Sequence, residues 1–596
     1  MDNPPLKRPK IIKLPKSILI LDTEAIISYP DNDTMNFTFK MGCMIFLEFD
    51  NHAQVTSKKI YTIKYIDDFY ITIENLCKKH KEIYIFGHNI GFDLRLLLAF
   101  RQFRHFGFLS SAPIINQRIF IWSLKRGKNK IKIVDTANLG VISVEQLGKD
   151  LNLPKLKADF ENDSDEKLIE YCIRDCEILE KFLIGYIQLI YEHKLGGFKL
   201  TIASQALHTF LHKFYHEDIH PHHFIPAVQL EKDGYHGGRS EVFFLGKKTG
   251  EDFYLLDINS MYPSIMYDSY LPNKLKSYIE DDDIAIPLSY LSKYYLIAEC
   301  EIDTDENCYP LMINNRLCFP LGKFKTVLQH SEFMYALLHS HIIKVTRLCV
   351  YYKGKIFSDY AKFFLYKRHE YQILGNKTYS YICKLFGNSL YGKMAQANYK
   401  RRKLIDYPDN DLGRIPFYDV ARKISGQYIL WDNIIYKEWK EGYARHTFLA
   451  IAGAITANGR MLLYSLMQKS KRENVYLCDT DSLLVNLEGY RALASDIAEP
   501  VPGKLKIDKQ SKRLVIHGVK DYELGNKIRH KGIKQKAIEI EQDAFEQWNW
   551  SSMLSWLNSG GQGPADAKRI VKHRKGDYYK GIVDDKSGRI TPYSLD

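Results

Sequence analysis

No run of about eighteen apolar residues occurs in the sequence, so it offers no obvious membrane-spanning segment. CxxC pairs are also missing. The ten cysteines are scattered, which speaks against a disulfide framework and for a reducing compartment. Low-complexity tracts and internal repeats are absent, and 36 Gly and 20 Pro are ordinary numbers, which excludes disordered and collagenous classes. The apolar stretch from Ser17 to Leu21 is cut off by Asp22 and Glu24, too soon for a signal-peptide core. The expectation is an intracellular, non-secreted protein with no membrane partner. Its leading Lys7-Arg8-Pro9-Lys10 reads as a solvated basic tail or as a nuclear address.

What is present describes a folded chain of several domains. Apolar residues make up 45% and charged residues 26% of 596 positions, and at roughly 150 residues per domain the length suggests about four domains. Lys and Arg exceed Asp and Glu by 84 − 71 = 13, and 41 Tyr and 31 Phe accompany that charge. A polyanionic partner whose bases stack on aromatic rings fits this combination.

The first 190 or so residues alternate strand-like and helix-like segments, an α/β pattern with carboxylates at strand ends. In ILILDTEAII the strand period of two puts Asp22 and Glu24 on one face. In FGHNIGFDLRLLLAF a strand leads into a helix whose first turn carries Asp93, with Asn89 placed to cap it. In YCIRDCEILEKF, Tyr171 and Asp175 fall at i and i+4. Four carboxylates converging on one pocket can hold two divalent ions, with Tyr171 orienting an attacking water.

A second carboxylate group lies further along. FYLLDINSMYPSIM ends an apolar strand with Asp257, and VYLCDTDSLLV places Asp479 and Asp481 in a tight hairpin turn. If these strands are neighbours, Asp257 and Asp481 can clamp two magnesium ions bridged by a triphosphate, with the carbonyl of Ile258 as a further ligand. Between them, KLFGNSLYG sets Lys384, Asn388 and Tyr391 within about 60° of one another on a helix. That face suits a nucleoside triphosphate; the other reading is a core aromatic stripe from which Lys384 reaches to solvent. The segment from Asn398 to Arg445, with PDND and DLGR turn signals, reads as an irregular excursion. The row Lys400, Arg401, Arg402, Lys403 within it suits nucleic-acid phosphates. The end of the chain reads as a hairpin turning at Asp584 to Gly588. The histidines from His208 to His223 lack zinc-finger spacing, and Cys172 and Cys176 read as packing residues.

In order along the chain, DTEA, NIGFD, YCIRD, DINSMYPS, KLFGNSLYG, CDTDS and KDY resemble the motifs of the family B DNA polymerases with 3′–5′ proofreading exonuclease. The Tyr235-His236-Gly237-Gly238 element and the long intervals between motifs resemble the protein-primed branch of phages, adenoviruses and linear plasmids.

The resemblance implies a multidomain chain of α/β and α+β character, with a ribonuclease-H-like exonuclease followed by a right-hand polymerase carrying two insertions. The expected divisions are 1–195 exonuclease, 196–270 linker and first palm segment, 271–360 first terminal-protein-region insertion and palm, 361–396 fingers, 397–445 second insertion, 446–526 palm and 527–596 thumb. It implies metal ligation by Asp22, Glu24, Asp93 and Asp175 with Tyr171 and Lys157 assisting, and by Asp257, Asp481 and Ile258 with Asp479 supporting. Tyr262 would exclude a 2′-hydroxyl, and Ser260, Lys384, Asn388 and Tyr391 would bind nucleotide. Asn89, Phe92, Tyr235, Gly237, Gly238, Thr456, Arg460, Lys520 and Tyr522 would contact DNA.

Leu477 stands where the family usually has Tyr, with Tyr476 one residue earlier. The implied partners are template-primer DNA, deoxynucleoside triphosphates, a terminal protein as primer and a single-stranded-DNA-binding protein, acting on a monomer. The cofactor is Mg2+, two ions at each site, with Mn2+ as an alternative. The rival expectation is a nucleic-acid-binding replication factor that keeps the polymerase fold while only the exonuclease is active.

Overall fold

In the computed structural model, residues 4–595 are described except 11, 117–118, 161, 408–411, 562, 575 and 577. The PDND turn signal therefore lies outside the described residues. Four larger sheets organise the rest.

The largest has eleven strands and is centred on Ser17–Asp31, which pairs antiparallel with Thr34–Phe49 and parallel with Glu82–Gly87. Glu82–Gly87 in turn pairs parallel with Asn129–Asp135. Parallel strands buried on both faces read as continuous apolar runs, and ILIL and IYIF are such runs. The helix Asp165–Glu192, capped by the Ser164 hydroxyl, packs its buried face, including Cys172, Cys176 and Leu179, on this sheet.

A seven-stranded sheet brings Gly246–Ile258 between Leu505–Gly518 and Ser482–Asn486, followed by Val475–Asp479 and Ser240–Val242. Segments more than 200 residues apart thus become neighbours, as the two-strand clamp required. The helix Leu449–Ser470 is long and apolar enough to cross a membrane, but most of it is buried inside the protein, as a core helix is. The helices Ser358–Ile373 and Lys377–Lys393 pack against one another beside this sheet.

One expectation is corrected. The described part of 398–445 is not irregular: Ala397–Asp406, Ile434–Tyr443, Ile424–Trp431 and Gly413–Asp419 form a four-stranded antiparallel sheet. The described residues of 527–596 are shared among three of the larger sheets. Lys527–Arg529 stays in the seven-stranded sheet, while Ala565–His573 pairs with Thr34–Phe49 and extends the N-terminal sheet. Ser594–Leu595 closes the five-stranded sheet of the 271–360 region by pairing with Leu321–Gln329. The expected terminal hairpin is present, with Ile582 opposite Thr591 and the Gly588 N–H donating to the Asp584 carbonyl.

Candidate active sites

The first carboxylate group forms where the parallel pairing of the central strand ends. Its last parallel partner is Ile20, opposite Phe86, and Asp22 and Glu24 follow on the unpaired side. Asp22, Glu24 and the Cys172 thiol lie within 4.8 Å of one another. Asp93 arrives from the helix Gly91–Leu96, its carboxylate accepting from the Thr23 backbone N–H at 3.0 Å and the Thr23 hydroxyl at 2.6 Å. Asp175 arrives from the helix Asp165–Glu192, one turn after Tyr171.

Burial is the main force on these acids. It drives Asp22 well above the usual carboxylate range, helped by Asp93, Glu24 and Asp175. Burial and Asp175 push Glu24 up to about 8, and burial pushes Asp93 up to about 7. Asp175 is raised by burial in spite of a lysine partner, and its Oδ1 is buried with no hydrogen-bond partner in the protein. An orphaned carboxylate oxygen facing three other acids fits a divalent cation, since buried like charges are costly without one.

That lysine is Lys155. Its ammonium bonds Asp175 and lies 4.8 Å from the centre of the Tyr171 ring. Burial opposes its charge, but Asp175 overrides this and raises its pKa. Lys157 is exposed and takes no part in this ion pair, which belongs to Lys155. Asn89 does not cap the helix either. The cap position is Ile90, with no side-chain bond, while Asn89 is exposed in a left-handed conformation and donates its backbone N–H to Asp135 at 3.1 Å. Asp135, absent from the expected site, holds this loop through a second bond to the Ala137 N–H. The strand ending KIKIVD carried its signal. Phe92 is half-buried against Phe37.

The second group is built by register. Asp257 lies opposite Ser482 and Asp479 also pairs with Ser482, so the turn through Thr480 carries Asp481 alongside Asp257. The Ile258 N–H donates to the Asp481 carbonyl at 2.6 Å. Burial and the neighbouring Asp257 raise Asp481 to about 6. Lys506 reaches Asp257 at 3.2 Å. Asp479 is held by Ser240 at 3.0 Å, Lys520 at 3.4 Å and Arg529 at 3.6 Å. Three acids with such partial compensation also fit a divalent cation.

Above them, Tyr262 and Tyr391 have ring centres 4.8 Å apart. Lys384 and Asn388 are exposed on the same helix as Tyr391, whose other face buries Ile382, Phe386 and Leu390. Arg368, missed in the sequence, bonds Ser260 and lies 3.4 Å from the Asn259 amide oxygen. Burial lowers the Arg368 pKa, opposed by Asp257.

Tyr235 is half-buried and Gly237 exposed. At Gly238 a Cβ would meet Thr480 at 2.8 Å and the Tyr262 hydroxyl at 3.1 Å, so the backbone passes directly against the carboxylate turn.

Three residues expected to contact DNA are buried. Thr456 is buried and its hydroxyl donates to the carbonyls of Ala452 and Gly453. Arg460 is 2% exposed, paired with Glu332 at 2.7 Å and donating to the carbonyls of His236 and Gly237 at 2.8 Å. These bonds tie it to the Tyr235 to Gly238 segment. Tyr522 is 3% exposed, its ring packed in the core beneath the seven-stranded sheet. Tyr476 does not replace the missing tyrosine at 477, because it is buried against Phe244 and Phe253. In the four-stranded sheet, Lys400, Arg401 and Lys403 pair with Glu441, Glu438 and Asp406.

Comparison with known proteins relates the chain to DNA polymerases. The family described as DNA polymerase type B, organellar and viral, matches residues 155–452, half of the chain. A probable DNA polymerase of Ascobolus immersus is 24% identical over 57% of this chain, and one of Neurospora intermedia 22% identical over 66%. The chain spans only 28% and 43% of those two proteins. The DNA-directed DNA polymerase of Enterobacteria phage PRD1 is 24% identical over 72% of this chain and 73% of its own. The fold is similar to that of Phi29 DNA polymerase in a ternary complex with primer-template DNA and incoming nucleotide. That match has a TM-score of 0.66 at 16% identity and covers 94% of this chain and all of the other.

Proposed function

The chain belongs to the type B DNA polymerases, organellar and viral, and from that premise we propose that it is a DNA-directed DNA polymerase with its own 3′–5′ exonuclease. One observation carries the reading: two separate groups of carboxylates, each holding an acid raised by burial and by its neighbours, stand on two different sheets of one chain. The N-terminal sheet would be the ribonuclease-H-like exonuclease, the seven-stranded sheet the palm, and the helix pair 358–393 the fingers. The 271–360 and 397–445 regions would be the two insertions.

Asp257, Asp481 and the Ile258 carbonyl would hold two Mg2+ or Mn2+ ions, and Asp22, Glu24, Asp93 and Asp175 another two. When bound, such ions supply the charge for in-line phosphoryl transfer. The remaining work belongs to side chains. Lys384 and Arg368 bind the triphosphate of an incoming deoxynucleotide, and Ser260 anchors Arg368. Tyr262, its ring tilted against Tyr391, walls off the 2′ position of the sugar. Lys520 stands beside Asp479 where a primer terminus would lie. At the other site Tyr171, held under the Lys155 ammonium, orients an attacking water, and Asn89 and Phe92 receive the unpaired end.

The resemblance of the Tyr235 to Gly238 element and of the long intervals between motifs to the protein-primed branch supports initiation on a protein hydroxyl followed by strand displacement by a monomer, aided by a single-stranded-DNA-binding protein, and the unpaired cysteines support an intracellular setting. Asp481→Asn should abolish nucleotide incorporation and spare degradation of an unpaired 3′ end, while Asp22→Ala with Glu24→Ala should do the reverse. Equal loss of both activities in each folded variant would sink the two-site reading. Incorporation of labelled deoxynucleotide without any oligonucleotide, dependent on an added terminal protein, tests the priming step.

A further inference from the structure

The C-terminal part of the chain adds an aromatic surface to the N-terminal site. Ala544–Trp550 pairs with Ala565–His573, which pairs with Thr34–Phe49, so Trp550 stands opposite Ala567 and Ala567 opposite Met35. Sheet register thus carries Trp550 across more than 500 residues of sequence to Phe37. The two rings stack with centres 4.7 Å apart at 24°. Phe92 meets both edge-on, at 5.5 Å from Phe37 and 6.1 Å from Trp550. Beyond Trp550 the chain turns through Ser551 and Ser552 into the helix Met553–Asn558, and the Met553 side chain borders Gly91. Residues 550–553 therefore wall the Asn89 to Asp93 loop.

Burial along this trio is graded. Phe37 is covered and Phe92 half-covered, while Trp550 is 48% exposed although one face lies on Phe37. Leaving an indole open beside a buried aromatic pair forgoes the gain of covering it. No described element covers it. A nucleobase would, because every base has a π-face that stacks on an indole regardless of sequence.

We infer that Trp550 is a stacking platform for the unpaired 3′ end of a single DNA strand, next to Phe92 and ahead of the Asp22, Glu24, Asp93 and Asp175 group. This rests on reading that group as a nuclease site. The platform explains why a strand from the far end of the chain is built into the N-terminal sheet: sheet pairing fixes the indole relative to the loop that bears Asn89 and Phe92.

The test measures binding and degradation separately. In the full chain carrying Asp22→Ala and Glu24→Ala, affinity for an oligothymidylate of about twelve nucleotides is read by fluorescence polarisation and by quenching of tryptophan emission. Adding Trp550→Leu should weaken binding about tenfold, and Trp550→Phe should keep most of it. In the nuclease-competent chain, Trp550→Leu should raise KM for unpaired ends while kcat stays within about twofold. Both replacements keep an apolar group against Phe37, so an altered fold is separated from a lost stack by the unfolding midpoint. Leucine binding as tightly as phenylalanine would overturn the platform. Wild-type protein that binds through Trp550 and yet degrades nothing would overturn the nuclease reading instead.

Discussion

At the residue scale, the N-terminal carboxylates stood out in the sequence because each sits in a regular element whose period fixes its direction. Asp22 and Glu24 obey the strand period, and Tyr171 and Asp175 the helical one. The lysine was not legible, because residues 153–159 form no helix or strand and no period chooses between Lys155 and Lys157. Lys155→Ala should lower 3′–5′ degradation by about 10–100-fold, the usual loss when a group bonded to a metal-ligating carboxylate is removed. Lys157→Ala should stay near wild type in the same assay, and the reverse ranking would restore the sequence-based choice.

The raised acids also make a pH prediction. Carboxyls whose pKa is higher in the folded than in the unfolded chain bind more protons when folded, so metal-free stability falls as pH rises from about 4 to about 8. Added Mg2+ relieves that repulsion only where the acids have lost their protons. Its rise in unfolding midpoint should therefore be larger at pH 8 than at pH 6, as calorimetry can read, and Asp22→Ala with Glu24→Ala should flatten the difference.

At the element scale, the helix Leu449–Ser470 sets a charged motif inside a core. ITANGR resembles a DNA-contacting pattern, but Ile451, Ile455, Leu463 and Met467 are buried around the same helix. A helix apolar on all sides is a core helix, and an arginine inside it needs a carboxylate. Glu332, itself fully buried and closing the capping box of His330–Leu338, is that partner. Arg460→Ala would strand this acid and release the His236 and Gly237 carbonyls. The expected loss is about 3–5 kcal/mol of stability in denaturant titrations. The slope of log affinity against log salt for DNA binding should not change, whereas loss of a direct phosphate contact would reduce it by about 1. The 397–443 sheet was illegible for the opposite reason. Both its faces are largely polar, so its strands lack the alternation that marks a half-buried sheet.

At the scale of the whole molecule, that sheet is a clamp between distant parts of the chain. Trp431 is buried against Trp122 and Phe100, and its indole N–H donates to the Ser110 hydroxyl at 2.8 Å. Asp432 pairs with Arg104 at 2.9 Å and accepts from the Ser110 N–H at 3.0 Å. Leu412 packs with the same cluster as Trp556 and Leu557, near the C-terminus. These joins link the second insertion, the N-terminal sheet and the C-terminal segment, and no sequence period encodes pairings across 300 residues. Deleting the sheet would uncover Trp122, so a gentler cut is Trp431→Ala with Asp432→Ala. The buried indole alone is worth about 3–5 kcal/mol of docking. The strand ends Ala397 and Tyr443 remain paired, which keeps the sheet attached to the chain while freeing its far end. If the docked sheet closes over template, the double variant should fill short gaps at the normal rate but release long templates early. Products on a primed circle, at a protein-to-template ratio below one, should shorten. With the exposed ion pairs at Lys400 and Lys403 worth little each in water, those two side chains remain free to turn to phosphates while Arg401 stays bonded to Glu438 and the Ala112 carbonyl, and the shortening should deepen with salt. Full-length product from the undocked variant would mean that the sheet's attachment to the N-terminal domain serves stability alone.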